Sequence, residues 1–348
     1  MSARWRPDAR SIALVKRSTI ASTAALARRP VSRRVVISPY RGFGRPQELL
    51  VRGRVLIHKR ITRASEAEPP WRNVLNTYRR FQSDEVAEVR VVAAYRDAVV
   101  ESITDGEGYF QIRLQPTVAV DAGWHELSLR LPDLDASAVA HVLVPSPDAD
   151  FGVISDIDDT IVRTDATSLI GMARSIIRNA AARLPFEGIG DFYRALHLET
   201  NPIFYVSSSP WNLYDLLHDF MEINGIPHGP MFLQDWGIDE ATLILDSHTD
   251  HKLEQIQTLV DYYPELKFIL IGDSGQHDPE IYLRVIQLHP GRILAAFIRD
   301  VTPDLRDRGV AKIIEESKAA GVEMLYVRDS AEALEHARRM GFLGGKGQ

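Results

Sequence analysis

The 348-residue chain contains no cysteine. Disulfide bonds, thiolate catalysis and cysteine-ligated zinc are thereby excluded, and the composition fits a reducing compartment without requiring one. No apolar run approaches the roughly 20 residues needed to cross a bilayer, so any lipid would be met from the surface. Carboxylates are nearly missing from residues 1–34, where Asp8 stands alone against Arg4, Arg6, Arg10, Lys16, Arg17, Arg28, Arg29, Arg33 and Arg34. The formal net charge of −6 therefore conceals a basic segment and a distinctly acidic remainder. Such a segment can adsorb to anionic lipid, each basic group contributing about 1 kcal/mol near the surface. It can equally be a solvated tail with no dedicated partner. A secretory signal fits poorly, because the stretch from Ile12 to Leu26 is broken by Lys16-Arg17 and by hydroxyls. Hydrophobic residues make up an ordinary 45%, and the length suffices for two domains.

From Val35 to Pro145 the pattern is one of short alternating runs, at Arg54–Ile57, Val89–Tyr95, Tyr109–Leu114 and Trp124–Leu131, with turn signals at Asp105-Gly106 and Gly108. This spacing predicts a small antiparallel sandwich over 35–145, interrupted by a helix at Trp71–Phe81. Thr104–Phe110 resembles the hairpin of carboxypeptidase-regulatory-like immunoglobulin folds. No acid and histidine cluster suggests catalysis here, which leaves a scaffold or a membrane-facing module. Pro145-Ser146-Pro147-Asp148-Ala149-Asp150 cannot comfortably prolong a strand and marks a junction. Beyond it, over 150–340, strands and helices alternate, including strands at Ile293–Ile298 and Gly321–Val327. That alternation predicts an α/β fold with a parallel sheet wrapped by helices and a site at the carboxyl ends of its strands.

Four stretches in this second region carry chemistry. Gly152–Thr160 is an apolar run that ends in Asp156 and Asp158, followed by the hydroxyl of Thr160. A buried parallel strand delivers acidic groups to a sheet edge in this way. A turn after it would let the first carboxylate face a bound group while the second swings above, which suits a nucleophile with a general acid/base and a hard cation beside a phosphate. Ile203–Val206 leads into Ser207-Ser208-Ser209 and Pro210, so that Ser209 caps a helix while Ser207 or Ser208 and the helix N-terminus offer a phosphate site. Lys252 precedes the helical pattern of Leu253, Ile256 and Leu259, and a lysine in a first turn, where the macrodipole favours anions, implies an anionic partner. Phe268–Ile271 ends in Gly272-Asp273, where Asp273 can complete a cation site with Asp156. Asp278, before Pro279 and a helix, is either a ligand or an N-cap. Asp329 reads as a helix cap.

Together the four stretches resemble the motifs of the haloacid dehalogenase superfamily, whose D-x-D-x-T signature is matched by Asp156, Asp158 and Thr160. Asp156–Asp165, Pro185–Tyr193, Val206–Tyr214 and Leu270–Tyr282 are similar, more narrowly, to the lipin-like actin-patch-protein phosphatidate phosphatase family. The resemblance implies a haloacid-dehalogenase-like domain and a Mg²⁺-dependent phosphatase acting on phosphatidic acid. It makes Asp156 the nucleophile, Asp158 the acid/base and Lys252 the charge-neutralising cation. Thr160, Ser207 and Ser208 become the phosphate-binding hydroxyls, and Asp156, Asp158, Asp273 and Asp278 the metal set.

Between Thr164 and Asn201 the sequence holds a short mixed helix at Leu169–Arg178 and too little else for a large cap. Within the superfamily a missing cap implies an open site for bulky substrates, and Leu169, Ile170 and Met172 could touch lipid or pack on the core. The expected partner is therefore a phospholipid met by a cytoplasmic protein with a peripheral membrane contact, and no nucleic acid. Phosphatases of proteins or soluble esters would share every catalytic residue, and a non-catalytic phospholipid-binding module remains a third reading.

Overall fold

The computed structural model describes residues 34–58, 84–161, 187–198, 200–234, 245–275, 277–301 and 307–344. The basic segment before Arg34, the helix expected at Trp71–Phe81, and Leu169, Ile170 and Met172 of the interval expected to hold no large cap lie outside the described residues.

The first half forms strands β1 (Arg34–Pro39), β2 (Gly42–Arg45), β3 (Glu48–His58), β4 (Asp84–Glu85), β5 (Arg90–Tyr95), β6 (Ala98–Ile103), β7 (Tyr109–Leu114), β8 (Gly123–Leu131) and β9 (Ala136–Val144). Strand β8 shows why they form: Leu127, Leu129 and Leu131 are buried while Ser128 and Arg130 are exposed, the period of a half-buried strand. The expected sandwich is realised as one hydrogen-bonded sheet in the order β1-β3-β2-β9-β8-β5-β6, with β4 and β7 also on β3. All its pairings are antiparallel except β2 with β9. The length of β3 explains the single sheet. It carries β1 and β2 along one edge and β4 and β7 along the other, so the sheet bends around a common core that joins Val51 and Val55 to Ile112, Leu127 and Val142.

After the junction the chain forms β10 (Gly152–Asp156), β11 (Ile203–Pro210), β12 (Met231–Gln234), β13 (Phe268–Asp273), β14 (Ile293–Arg299) and β15 (Glu323–Val327). These make a parallel sheet in the order β12-β11-β10-β13-β14-β15. Between them lie α1 (Ile189–His197), α2 (Tyr214–Ile223), α3 (Leu245–Tyr262), α4 (Asp278–Leu288) and α5 (Asp307–Ala319), and α6 (Ser330–Arg339) follows β15. Side chains of the central strands divide with a period of two. Val153, Tyr205, Ile269 and Phe297 pack with Phe192 of α1, Leu217 of α2 and Ala337 of α6. Ile154, Phe204, Leu270 and Ile298 pack with Ile256 of α3 and Val285 of α4. Helices thus cover both faces, which is why the strands read as continuous apolar runs. Asp329 caps α6 as expected, accepting a hydrogen bond from the Glu332 amide at 2.9 Å.

Phe204 is fully buried, with ring centroids 5.3 Å from Tyr263 and 6.3 Å from Phe268. Phe204→Ala should destabilise the fold by about 3–5 kcal/mol. The effect should be read as a lowered denaturant midpoint at unchanged slope.

Candidate active site

The strand order reverses between β10 and β13, and a crevice opens at such a point beyond the carboxyl ends of the strands. Asp156 is the last residue of β10 and Asp273 the last of β13. Just past β10, Asp159 adopts a left-handed conformation (φ 56°) and the Ile161 amide donates to the Ile157 carbonyl at 2.9 Å. This is the turn expected after the two acids, at a residue type that tolerates positive φ.

Asp156, Asp273 and Asp278 are all buried, and each offers a carboxylate oxygen within 4.8 Å of the others. The Lys252 ammonium lies 2.8 Å from Asp156 Oδ1 and donates to Asp278 Oδ1. Asp278 Oδ2 accepts the Asp273 amide at 3.1 Å. Gly272 makes room for this carboxylate, since a Cβ there would stand 2.2 Å from Asp278 Oδ2. Asp156 Oδ2 is buried with no hydrogen-bond partner among the described residues, and the Thr160 hydroxyl shares that condition.

Asp158 is placed differently. Its carboxylate accepts the Ser207 hydroxyl and, at 3.0 and 3.1 Å, the Ser209 hydroxyl, and the Ser209 amide donates to Ser207 Oγ at 2.8 Å. Asp158, expected in the metal set, has its carboxylate on the two serines, and it is not one of the three carboxylates whose oxygens converge. The Ser207 hydroxyl, expected on phosphate, is given to Asp158, and Ser208 is the least buried of the three serines.

Ser209 is a further departure. Strand β11 runs on through Pro210 into a 3₁₀ turn at Trp211–Leu213, so Ser209 orients Asp158 and caps nothing. Lys252 lies two turns inside α3, because that helix begins at Leu245. Its partner is the aspartate cluster, not a helix terminus. Asp278 opens α4, but its side chain is committed to Lys252 and Asp273 and does not cap the helix. Sequence reading missed Ser155 and Tyr193, whose hydroxyls are bonded to each other, with Ser155 also donating to the Asp156 carbonyl at 2.7 Å. The residue spacing held no signal for this long-range pair.

Burial pushes the Asp156 carboxyl well above the usual range; Lys252 opposes that shift, while Asp278, Asp273 and Asp158 add to it. Burial also raises Asp158, against the bonds from Ser207 and Ser209. Burial alone would lower Lys252, but Asp156, Asp278 and Asp273 outweigh it and hold the ammonium charged. Three carboxylates thus gather around one ammonium.

Fold and site define an α/β protein with an oxygen-rich, anion-contacting centre at a switch point. Comparison with known proteins shows what the second half of the chain is similar to. Residues 151–300 match the family model described as phosphatidate phosphatase APP1, catalytic domain. The chain is 36% identical over 161 residues to phosphatidate phosphatase APP1 of Saccharomyces cerevisiae, covering 45% of this chain and 27% of that protein. It is 29% identical over 157 residues to an uncharacterised protein of Schizosaccharomyces pombe, covering 44% and 25%. The chain thus spans about a quarter of the length of these relatives. Among solved structures, a HAD family hydrolase from Deinococcus radiodurans with bound phosphate and sodium aligns over 56% of this chain and 99% of its own, at 15% identity and a TM-score of 0.34. Phosphoserine phosphatase from T. onnurineus aligns over 55% and 96%, at 11% identity and a TM-score of 0.30. The likeness read from the four stretches is borne out in that residues 151–300, which hold all of them, resemble the APP1 catalytic domain.

Lys252→Met should cost about 3–5 kcal/mol at pH 7, because it leaves buried carboxylates without their cation. Without the ammonium the folded-state carboxylate values rise further, so the folded chain holds protons that the unfolded chain releases. The deficit should therefore shrink as pH falls towards 5, as measured by denaturant titration at both values.

Proposed function

We propose that the chain is a Mg²⁺-dependent phosphatase that removes the phosphate of phosphatidic acid through an aspartyl-phosphate on Asp156. The observation that carries this reading is the Asp156 carboxylate, held at the switch point by Lys252, with Oδ2 buried and without a hydrogen-bond partner among the described residues. The likeness of residues 151–300 to a family named for phosphatidate phosphatase supports the substrate class. The reading divides the chain into a basic segment (1–34), a β unit (35–145) and a catalytic unit (150–340). It makes the protein cytoplasmic, meeting lipid at the membrane surface. Among the described residues no helix is long and apolar enough to cross a membrane.

Asp156, Asp273 and Asp278 fit a hard divalent cation, since all three supply oxygen and their charge exceeds that of Lys252. Bound there, Mg²⁺ supplies positive charge that offsets the repulsion between an anionic nucleophile and an anionic substrate. Asp156 attacks phosphorus and the bond to the lipid oxygen breaks. Asp158, whose proton affinity burial raises, gives its proton to the departing alkoxide. It then takes a proton from the water that attacks the aspartyl-phosphate, which releases inorganic phosphate and restores Asp156. Thr160 and Ser208 take phosphoryl oxygens, Ser207 and Ser209 orient Asp158, and Lys252 balances charge on Asp156 and on the phosphoryl group.

Asp156→Asn should lower phosphate release from phosphatidic acid in mixed micelles by about 10³-fold or more, in line with loss of a covalent nucleophile, while the far-UV spectrum stays unchanged. Phosphopeptides and sugar phosphates assayed in parallel decide the substrate class. Faster release from either would favour a protein or soluble-ester phosphatase, and lipid binding without release would favour a binding module.

The raised carboxyl values carry a second expected outcome. Asp156 and Asp158 titrate above their unfolded values, so their contribution to cation-free stability is fullest below about pH 4 and declines as pH rises through the folded values. Mg²⁺ at a hundred times its Kd should restore about 2.7 kcal/mol at pH 7. At pH 4.5 proton competition should shrink the gain. Thermal shifts with and without Mg²⁺ measure this, and Asp273→Asn should abolish the difference.

A further inference from the structure

The segment that orients Asp158 is poorly held by its own sheet. Pairing of β10 with β11 ends at Asp156 and Val206, so Ser207 to Ser209 extend beyond that neighbour. On the other side the β11–β12 register jumps from Val206 opposite Phe232 to Pro210 opposite Gln234, so the serines bulge out of the ladder. Trp211 and Asn212, just after the serines, are fastened instead to the N-terminal sheet. Asn212 Oδ1 accepts from Arg54 Nη1 at 2.6 Å and from the Tyr109 hydroxyl at 2.7 Å. Trp211 stacks on Tyr40 with centroids 4.9 Å apart, and the Arg52 guanidinium lies 4.4 Å from the Trp211 ring centre.

Arg54 is a charged residue only 8% exposed, and its guanidinium is spent in a fixed fan. Besides Asn212 it reaches the Glu107 carbonyl at 2.8 Å and Glu85 at 2.9 Å, and it lies over the Tyr109 ring at 4.5 Å. Burying such a cation costs several kcal/mol unless every donor is placed. An apolar contact would have joined the two halves at less cost. The arginine therefore imposes a position as well as adhesion.

We infer that Arg54 is a positioning residue of the phosphatase site, setting through Asn212 the place of the serine bulge and hence of the Asp158 carboxylate. The β unit is on this view part of the catalytic machinery. The inference rests on the proposed phosphatase reading for its kinetic arm alone.

The test uses the full chain with Mg²⁺, assaying p-nitrophenyl phosphate and phosphatidic acid in mixed micelles below the unfolding temperature of every variant. Arg54→Met should lower kcat about tenfold or more with KM changed less than twofold, the signature of a misplaced group and not of weakened binding. Asn212→Leu should do the same, and Asn212→Asp, which keeps an acceptor for both donors, should recover most of that loss. The Arg54→Met/Asn212→Leu double variant should be no slower than either single one, since both act through one link. Unchanged kcat in Arg54→Met, or multiplicative losses in the double variant, overturns the inference. If Arg54→Met does not fold, Asn212→Leu against Asn212→Asp decides alone. Hydrogen exchange supplies an arm free of turnover: amides of residues 207–213 should exchange at least tenfold faster in Arg54→Met, with those of β13 unchanged. Faster exchange in a chain whose wild type releases no phosphate would sink the phosphatase reading and leave the positioning intact. Unaltered exchange would sink the positioning itself.

Discussion

The Lys252 ammonium, buried between Asp156 and Asp278, is the contact around which the second half of the chain is arranged. A single buried cation of this kind would be costly in an apolar interior, and so would each of the three carboxylates gathered near it. Together they are tolerable because each satisfies part of the demand of the others, and because backbone amides of β13 and its following loop add donors: the Asp273 amide to Asp278, and the Gly275 amide to Asp273 at 2.6 Å. On the proposed reading, a centre rich in carboxylate oxygen would take up a divalent cation and then an anion. The absent Cβ at Gly272 belongs to the same constraint, since any side chain there would evict Asp278.

That centre is possible only where two adjacent parallel strands end together with their following segments diverging. The order β12-β11-β10-β13-β14-β15 provides one such place, between β10 and β13. Helix α3 then crosses one face of the sheet and brings Lys252 to the cluster from its second turn, while α4 brings Asp278 from its first residue. The same α3 ends at Tyr262 with Tyr263 directly after it, and their hydroxyls donate to Glu48 at 3.0 Å and to the Gly44 carbonyl at 3.1 Å in the first sheet. Helix α3 thus touches the acidic cluster near one end and the N-terminal sheet at the other.

What the sequence made legible was set by the range of the interactions involved. The parallel strands could be read because both their faces are buried and their apolar runs stop abruptly at Asp156 and Asp273. The cap at Asp329 could be read because its bond spans three residues. The role of Ser209 could not: a serine before a proline is a common helix start, and only the bulge against β12 turns its hydroxyl onto Asp158, 51 residues away. Lys252 was placed too near a helix start because the polar residues before it hid an additional two turns of α3. Asp278 was ambiguous for a related reason. A helix-opening aspartate looks the same whether it serves its own helix or a lysine on another. The small β domain could be read from alternation, which reports which side chains are inside; that its strands form one continuous ladder could not, because that depends on pairings along the whole length of β3.

The division of labour between the two carboxylates stems from their neighbours more than from their burial, which is almost equal. Asp156 touches an ammonium and shares its surroundings with Asp273 and Asp278, so a divalent cation in the cluster lowers its proton affinity directly. Asp158 touches hydroxyls, whose protons can be turned towards or away from it, and its nearest stabilisation is therefore adjustable and uncharged. On the proposed reading, a cation in the cluster would separate the two values, favouring the ionised form of Asp156 while burial still raises Asp158. A nucleophile must be the anionic member of the pair and a general acid the protonated one. On the proposed mechanism, the strand end that carries Asp156 and the serine bulge that receives Asp158 would set those two states, and the grip of Arg54 and Tyr109 on Asn212 would keep the second of them in place.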